Sequence, residues 1–282
     1  MLNIDSLKNL NEISDFFMRD EKAENIILDL CKKFFVSRLA IKLDAIKKRG
    51  YAASNIILFL IYLLFLGIAS VAGLFKSGYA QSTESEKDAY YRLKNNPLVN
   101  WRNILFSFAK RFKTITTEHG AVDCQAVTCF VVDDTDCRKT GRKIEFIGKI
   151  FSHVYKTWIL GFKLLTLGFW DGKSFIPGDF SLHHEKGNNK KRPFGLKRSE
   201  LKQRFSKKRS QDSFGFKRTT ELSRNKINNA VKMIKRAVKH GFIADYVLVD
   251  RWFVSEYFMN SIRQIKQGIV HVLAMCKMDK RN

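Results

Sequence analysis

Two aspartates stand where chemistry can be done: Asp134, closing the run CFVVDD, and Asp250, after YVLV. A carboxylate at the tip of a buried strand needs a compensating partner, because an unpaired buried charge is costly. A divalent cation is one such partner. Carboxylate oxygens suit Mg²⁺ or Mn²⁺, and two ions about 4 Å apart can stabilise the attacking and leaving oxygens of a phosphoryl transfer. Either acid alone is equally satisfied by capping the next element or by pairing with Arg138 or Arg251. Neighbours on a strand point to opposite faces, so only one of Asp133 and Asp134 can share a site with Asp250.

Such acids need strands to carry them. After His119-Gly120 the pattern turns to β: AVTCFVVDD reads as a buried strand, followed by the candidates KIFSHVYKTWIL, GFKLLTLGFWDG and SFIPGDFSLHH. A meander is expected there. Next, ELSRNKINNAVKMIKRAVKHG places Leu222, Ile227, Val231, Ile234 and Val238 on one helical face, with Gly241 as the stop. FIADYVLVDRWF then gives a strand, SEYFMNSIRQIKQG a helix and IVHVLAMCKMD a final strand.

The first third reads as helical, from Leu7, Leu10, Ile13, Phe16 and Phe17 through Ile26, Ile27, Leu30, Phe34 and Phe35. Asn95-Asn96-Pro97 breaks a later helix and a basic-aromatic one follows near Leu98. The expected division is a helical domain over 1–118 and an α/β domain over 119–282. Within the first, no charged residue appears from Tyr51 through Phe75. That meets the length rule of roughly 20 apolar residues for a membrane helix, so a single-span protein with a basic domain is an alternative reading. A helix buried inside the helical domain is the reading preferred, since no second span appears.

The 51 Lys and Arg against 27 Asp and Glu give a formal charge of +24, and a polyanion is the natural partner. The charge is focused. Between Lys186 and Lys239 there are nineteen basic residues against Glu200, Asp212 and Glu221, a net +16. The glycines and asparagines of 186–220 read as a mobile loop whose cations contact phosphates: Lys190, Lys191, Arg192, Lys197, Arg198, Arg204, Lys207, Lys208, Arg209, Lys217 and Arg218, joined by Arg92 and Arg102 from the preceding helices. Five irregularly spaced cysteines without a CxxC pair suggest neither a zinc ribbon nor a disulfide framework, and point to a reducing cytoplasm. No secretory signal opens the chain. His183-His184 and His153 lack acids or cysteines at ligand spacing and are read as surface or phosphate-contacting.

The strings VVDDTDCRKTGRKIE, GFKLLTLGFWDGKSFIPGDFSLH and YVLVDRWF, with DAYYRLKNNPLVNWR before them, resemble the DDE transposases of bacterial insertion sequences over roughly residues 85–282. The resemblance implies an RNase H-like mixed sheet with acids on its first and fourth strands. It implies a first catalytic Asp in an Asp-Thr pair, here Asp134-Thr135, and a second before an aromatic pair, here Asp250. It further implies two Mg²⁺ or Mn²⁺ ions, strand cleavage and transfer on double-stranded DNA at transposon ends and target, a homodimer on DNA, and a nucleoid-associated location. The family's third acid, a Glu on a helix after the fifth strand, has no counterpart: Glu256 is the only Glu after Asp250. A truncated transposase is therefore expected, with a DNA-binding remnant that does not cleave as the alternative.

Overall fold

In a computed structural model, the described residues are 21–275 apart from 48, 84, 122–124 and 269. The helical pattern from Leu7 to Phe17, Cys124 and Cys276 lie outside them. Cys31, Cys129 and Cys137 are free thiols. The chain divides into two compact units, 1–99 and 100–282.

In the first unit the helices are α1 (Glu21–Lys33), α2 (Val36–Lys47), α3 (Ala53–Phe65), α4 (Val71–Leu74) and α5 (Lys87–Lys94). The long apolar run becomes two helices rather than one. Asp44 of α2 accepts a hydrogen bond from the Ala53 N–H at 2.7 Å and starts α3, while Gly67, at φ +66°, ends the run that continues from it. Thirteen residues rise about 20 Å, short of the roughly 30 Å hydrocarbon layer. Ile56, Ile57, Phe59, Tyr62 and Leu63 are buried within the unit. Among the described residues no helix is long and apolar enough to cross a membrane, so the single-span alternative has no helix to carry it.

The second unit is mixed α/β. Its helix α6 (Trp101–Glu118), grouped by the sequence pattern with the amino-terminal part, packs on the sheet through Phe106 and Ala109. The open six-stranded sheet contains β1 (Cys129–Arg138), β2 (Gly148–Ser152), β3 (Thr157–Trp170), β4 (Phe175–His183), β5 (Tyr246–Val249) and β6 (His271–Ala274). Strand β1 is central. It runs antiparallel to β3 and parallel to β5, β6 continues parallel beyond β5, and β3 also pairs antiparallel with β2 and β4. Between β4 and β5 lie α7 (Arg198–Gln203), α8 (Phe214–Glu221) and α9 (Lys226–Lys239); α10 (Glu256–Arg263) joins β5 to β6. KIFSHVYKTWIL, expected as one strand, turns back on itself at Lys156 (φ 53°), so its two halves form a hairpin.

Alternation along the strands builds the core on one face. Phe130, Val132, Leu165, Leu167, Phe169, Val247 and Val249 point to the side covered by α6, α9 and α10. The other face is more open over β5 and β6, where Leu273 is 55% exposed.

Candidate functional site

The last residues of the β1–β5 ladder are Val132 and Val249, facing each other in parallel register. One step further along both strands stand Asp133 and Asp250. Register partners in a parallel pair share a face, so these two carboxylates leave the sheet on the same side. Both line one open cleft of about 570 Å³ where the β1–β5 ladder ends, with Val131, Leu248, Leu273 and Met275. Both residues are exposed, and neither forms an ion pair with a described residue.

Asp134 lies on the opposite face. Its Oδ2 accepts a hydrogen bond from Lys226 Nζ at 3.0 Å, and its backbone N–H donates to Asp133 Oδ1 at 2.8 Å. The geometry thus brings Asp133, not Asp134, together with Asp250. The reason is periodicity: Asp134 continues the buried set Phe130 and Val132, which faces α9. Its ion-pair partner is Lys226, neither Arg138 nor Arg251.

The turn after β5 is fixed by Phe253, 1% exposed and packed near Phe258, while Trp252 remains 52% exposed. Lys226 Nζ sits 4.7 Å from the Trp252 ring centroid, in cation–π range. Lys226 opens α9, whose Asn225 cap accepts from the Ile227 N–H at 2.8 Å.

Further along the buried face, Asp136 accepts from Lys163 Nζ at 2.6 Å. Burial works to raise the Asp136 carboxyl, but hydrogen bonds from Lys163 and Ser152 and the Lys163 charge outweigh it and hold the group below the usual carboxylate range. His183 is pushed down to about 4, chiefly by burial and then by the Lys226 charge. Burial and the neighbouring Arg204 take His184 to about 4 as well. His183 is therefore a neutral part of the interior rather than a surface group, and His184 is half-buried. His184 Nδ1 lies 3.1 Å from Arg204 and its Nε2 3.2 Å from Ser223 Oγ.

The candidate phosphate contacts fall into two sets. Arg92, Lys190, Lys191, Arg192, Lys197, Arg198, Lys207, Lys208 and Lys217 are exposed. Arg102, Arg204 and Arg209 are committed inside the protein, and Arg218 is half-buried. Arg102 binds Asp179 and Glu221, and Arg236 reaches Asp179 at 2.7 Å, making a buried ionic cluster under β4. Arg204 donates to the Ile147 and Phe146 carbonyls and stacks 3.8 Å from the Phe194 ring centroid. Arg209 grips Glu145. These contacts pin the basic segment to β2 and its approach, so the expected mobile loop is a folded strap. Gly148 shows how close it lies: a Cβ there would stand 3.1 Å from Phe194 Cβ.

The sequence pattern passed over Lys226, Trp252 and Asp179. Asp179 carried a signal, an acid inside the apolar run SFIPGDFSLH; Trp252 was visible only as the first of the aromatic pair after Asp250, and Lys226 only as one of the nineteen cations of 186–239.

Asp133 and Asp250 fit a hard divalent cation, since both offer only oxygen, both line one cleft and neither is in an ion pair among the described residues. Among the described residues no cluster of three or more His, Cys, Asp or Glu side chains accompanies them. No family model matches the chain, and no curated protein does either.

Proposed function

We propose that this chain is a DNA transposase of the DDE class on an RNase H-like sheet, acting on the strands of double-stranded DNA. The observation that carries the reading is that Asp133 and Asp250, each one step beyond the last β1–β5 pair Val132 and Val249, line one cleft. Support comes from the strand path β4, β3, β1, β5, β6, with Asp133 on its first member in chain order and Asp250 just after its fourth, once the β2 hairpin arm is set aside.

Asp133 and Asp250 would hold Mg²⁺ or Mn²⁺, which when bound activates water and offsets charge on the phosphoryl oxygens. The protein's own residues do the rest. Asp133 is oriented by the Asp134 N–H, and Asp250 by the extended backbone that leads into the Phe253 anchor. Exposed Lys190, Lys191, Arg192, Lys197, Arg198, Lys207, Lys208 and Lys217 neutralise backbone phosphates and bind without reading sequence. The reading carries with it a homodimer on DNA and a nucleoid-associated place in the cell.

The test is nicking of supercoiled plasmid by the purified chain in Mn²⁺. Nicked circles from the parent protein, and none from Asp133→Asn or Asp250→Asn, are expected. A second reading, a DNA binder that does not cleave, is favoured because among the described residues no third acid joins Asp133 and Asp250 in a cluster. Salt-sensitive plasmid binding with neither Mn²⁺ binding nor nicking in any divalent metal would select it and reject the first.

A further inference from the structure

We propose that Lys226 is a positioning residue: held between the Asp134 carboxylate and the Trp252 ring, it ties the middle of β1 to the turn after β5 and keeps Asp133 and Asp250 side by side. This rests on the metal-binding reading of those two acids.

Backbone pairing between β1 and β5 stops at Val132 and Val249, one residue short of the acids. From there β1 stays paired to β3, with Asp133 opposite Thr166 and Asp134 opposite Leu165, while β5 ends and its chain turns away, so the link from β1 to that turn rests on side chains. Lys226 meets both: its Nζ is 3.0 Å from Asp134 Oδ2 and 4.7 Å from the centroid of Trp252, two residues beyond Asp250. Its own position is set by α9, which buries Ala230, Val231, Met233 and Ile234 against the sheet. The Lys226 and Asp134 side chains are 20% and 23% exposed, enough withdrawn from water for the pair to have a fixed geometry. On the β1 side the connection is completed by the Asp134 N–H, which donates to Asp133 Oδ1. Fixing β1 at Asp134 therefore fixes the donor that aims Asp133. On the β5 side, Phe253 anchors the turn in the core so that Trp252 cannot drift. An acid next to the metal ligand is thus explained without making it a ligand.

The experiment is Mn²⁺ titration of the full chain by electron paramagnetic resonance, with thermal melts in EDTA alongside. Lys226→Met and Trp252→Leu should each weaken Mn²⁺ binding by roughly tenfold, the lower end of the range for losing an outer partner of a metal ligand. Lys226→Arg should restore most of it, and Trp252→Leu, at an exposed site, should melt with the parent. Mn²⁺ affinity unchanged in both Lys226→Met and Trp252→Leu overturns the positioning role while leaving the metal site standing. Absence of Mn²⁺ binding by the parent protein overturns the metal reading and this role with it.

Discussion

Asp133 and Asp134 are adjacent in the chain yet serve opposite faces of β1, the first lining the cleft it shares with Asp250 and the second bound to Lys226. The pair separates two tasks that a single acid could not perform, since a carboxylate neutralised by a lysine is a poor ligand for a metal.

Asp133→Asn should abolish stabilisation by Mn²⁺ while leaving the metal-free protein within about 0.5 kcal/mol of the parent, because the residue is exposed. The parent should gain about 2.7 kcal/mol at Mn²⁺ one hundred times its dissociation constant. Thermal shift with and without Mn²⁺ reads both quantities, and equal shifts in the two proteins would remove Asp133 from the site.

Asp179→Ala should destabilise the protein by about 3–5 kcal/mol, since it strips a buried carboxylate from both Arg102 and Arg236. Urea unfolding followed by tryptophan fluorescence measures this. A loss under 1 kcal/mol, the scale of an exposed ion pair, would mean that the cluster is hydrated.

Acid should weaken the fold between about pH 6.5 and pH 4 through His183. Its folded value is depressed to about 4 from an ordinary 6.5, so the unfolded chain binds the proton first and stability falls as pH drops through that window. Above pH 6.5 the contribution is fully present. The drop is on the order of 3 kcal/mol at 1.36 kcal/mol per unit. Urea midpoints across the window should fall less steeply in His183→Gln, with His184, depressed to about 4 as well, carrying the remainder, and an unaltered slope there would exclude His183 as a source.

Replacing Lys190, Lys191 and Arg192 together with Ala should lower DNA affinity and reduce the slope of log affinity against log salt by roughly 0.9 for each phosphate no longer neutralised. Arg102→Ala should act through stability instead, because its guanidinium is held by Asp179 and Glu221. Fluorescence anisotropy on a generic duplex over a salt series separates the two. An unchanged slope in the triple variant would place the phosphate-binding cations elsewhere.

The acids were legible because an apolar run and a carboxylate stand in a few adjacent letters, CFVVDD and YVLVD; that β1 runs on to Arg138 was not, because that stretch, DTDCR, is polar and is held by its pairing with β3. Which of Asp133 and Asp134 joins Asp250 was not legible, since it depends on a register set by the ladder between strands more than a hundred residues apart. The basic segment was visible as charge, but its folding was hidden because Arg204 and Arg209 find partners 57 to 64 residues away. The apolar run from Tyr51 to Phe75 matched a membrane span in composition alone; Gly67 and the cap given by Asp44 divide it, and neither is apparent from hydropathy.

The pinning of the basic strap by Arg204 and Arg209 has a thermodynamic corollary. Its backbone is ordered as the sheet folds, so a polyanion arriving there meets cations already arrayed and does not have to immobilise a wandering chain. Loosening the strap, as Arg204→Ala would, makes that ordering part of each encounter even though every outward-facing lysine is still present.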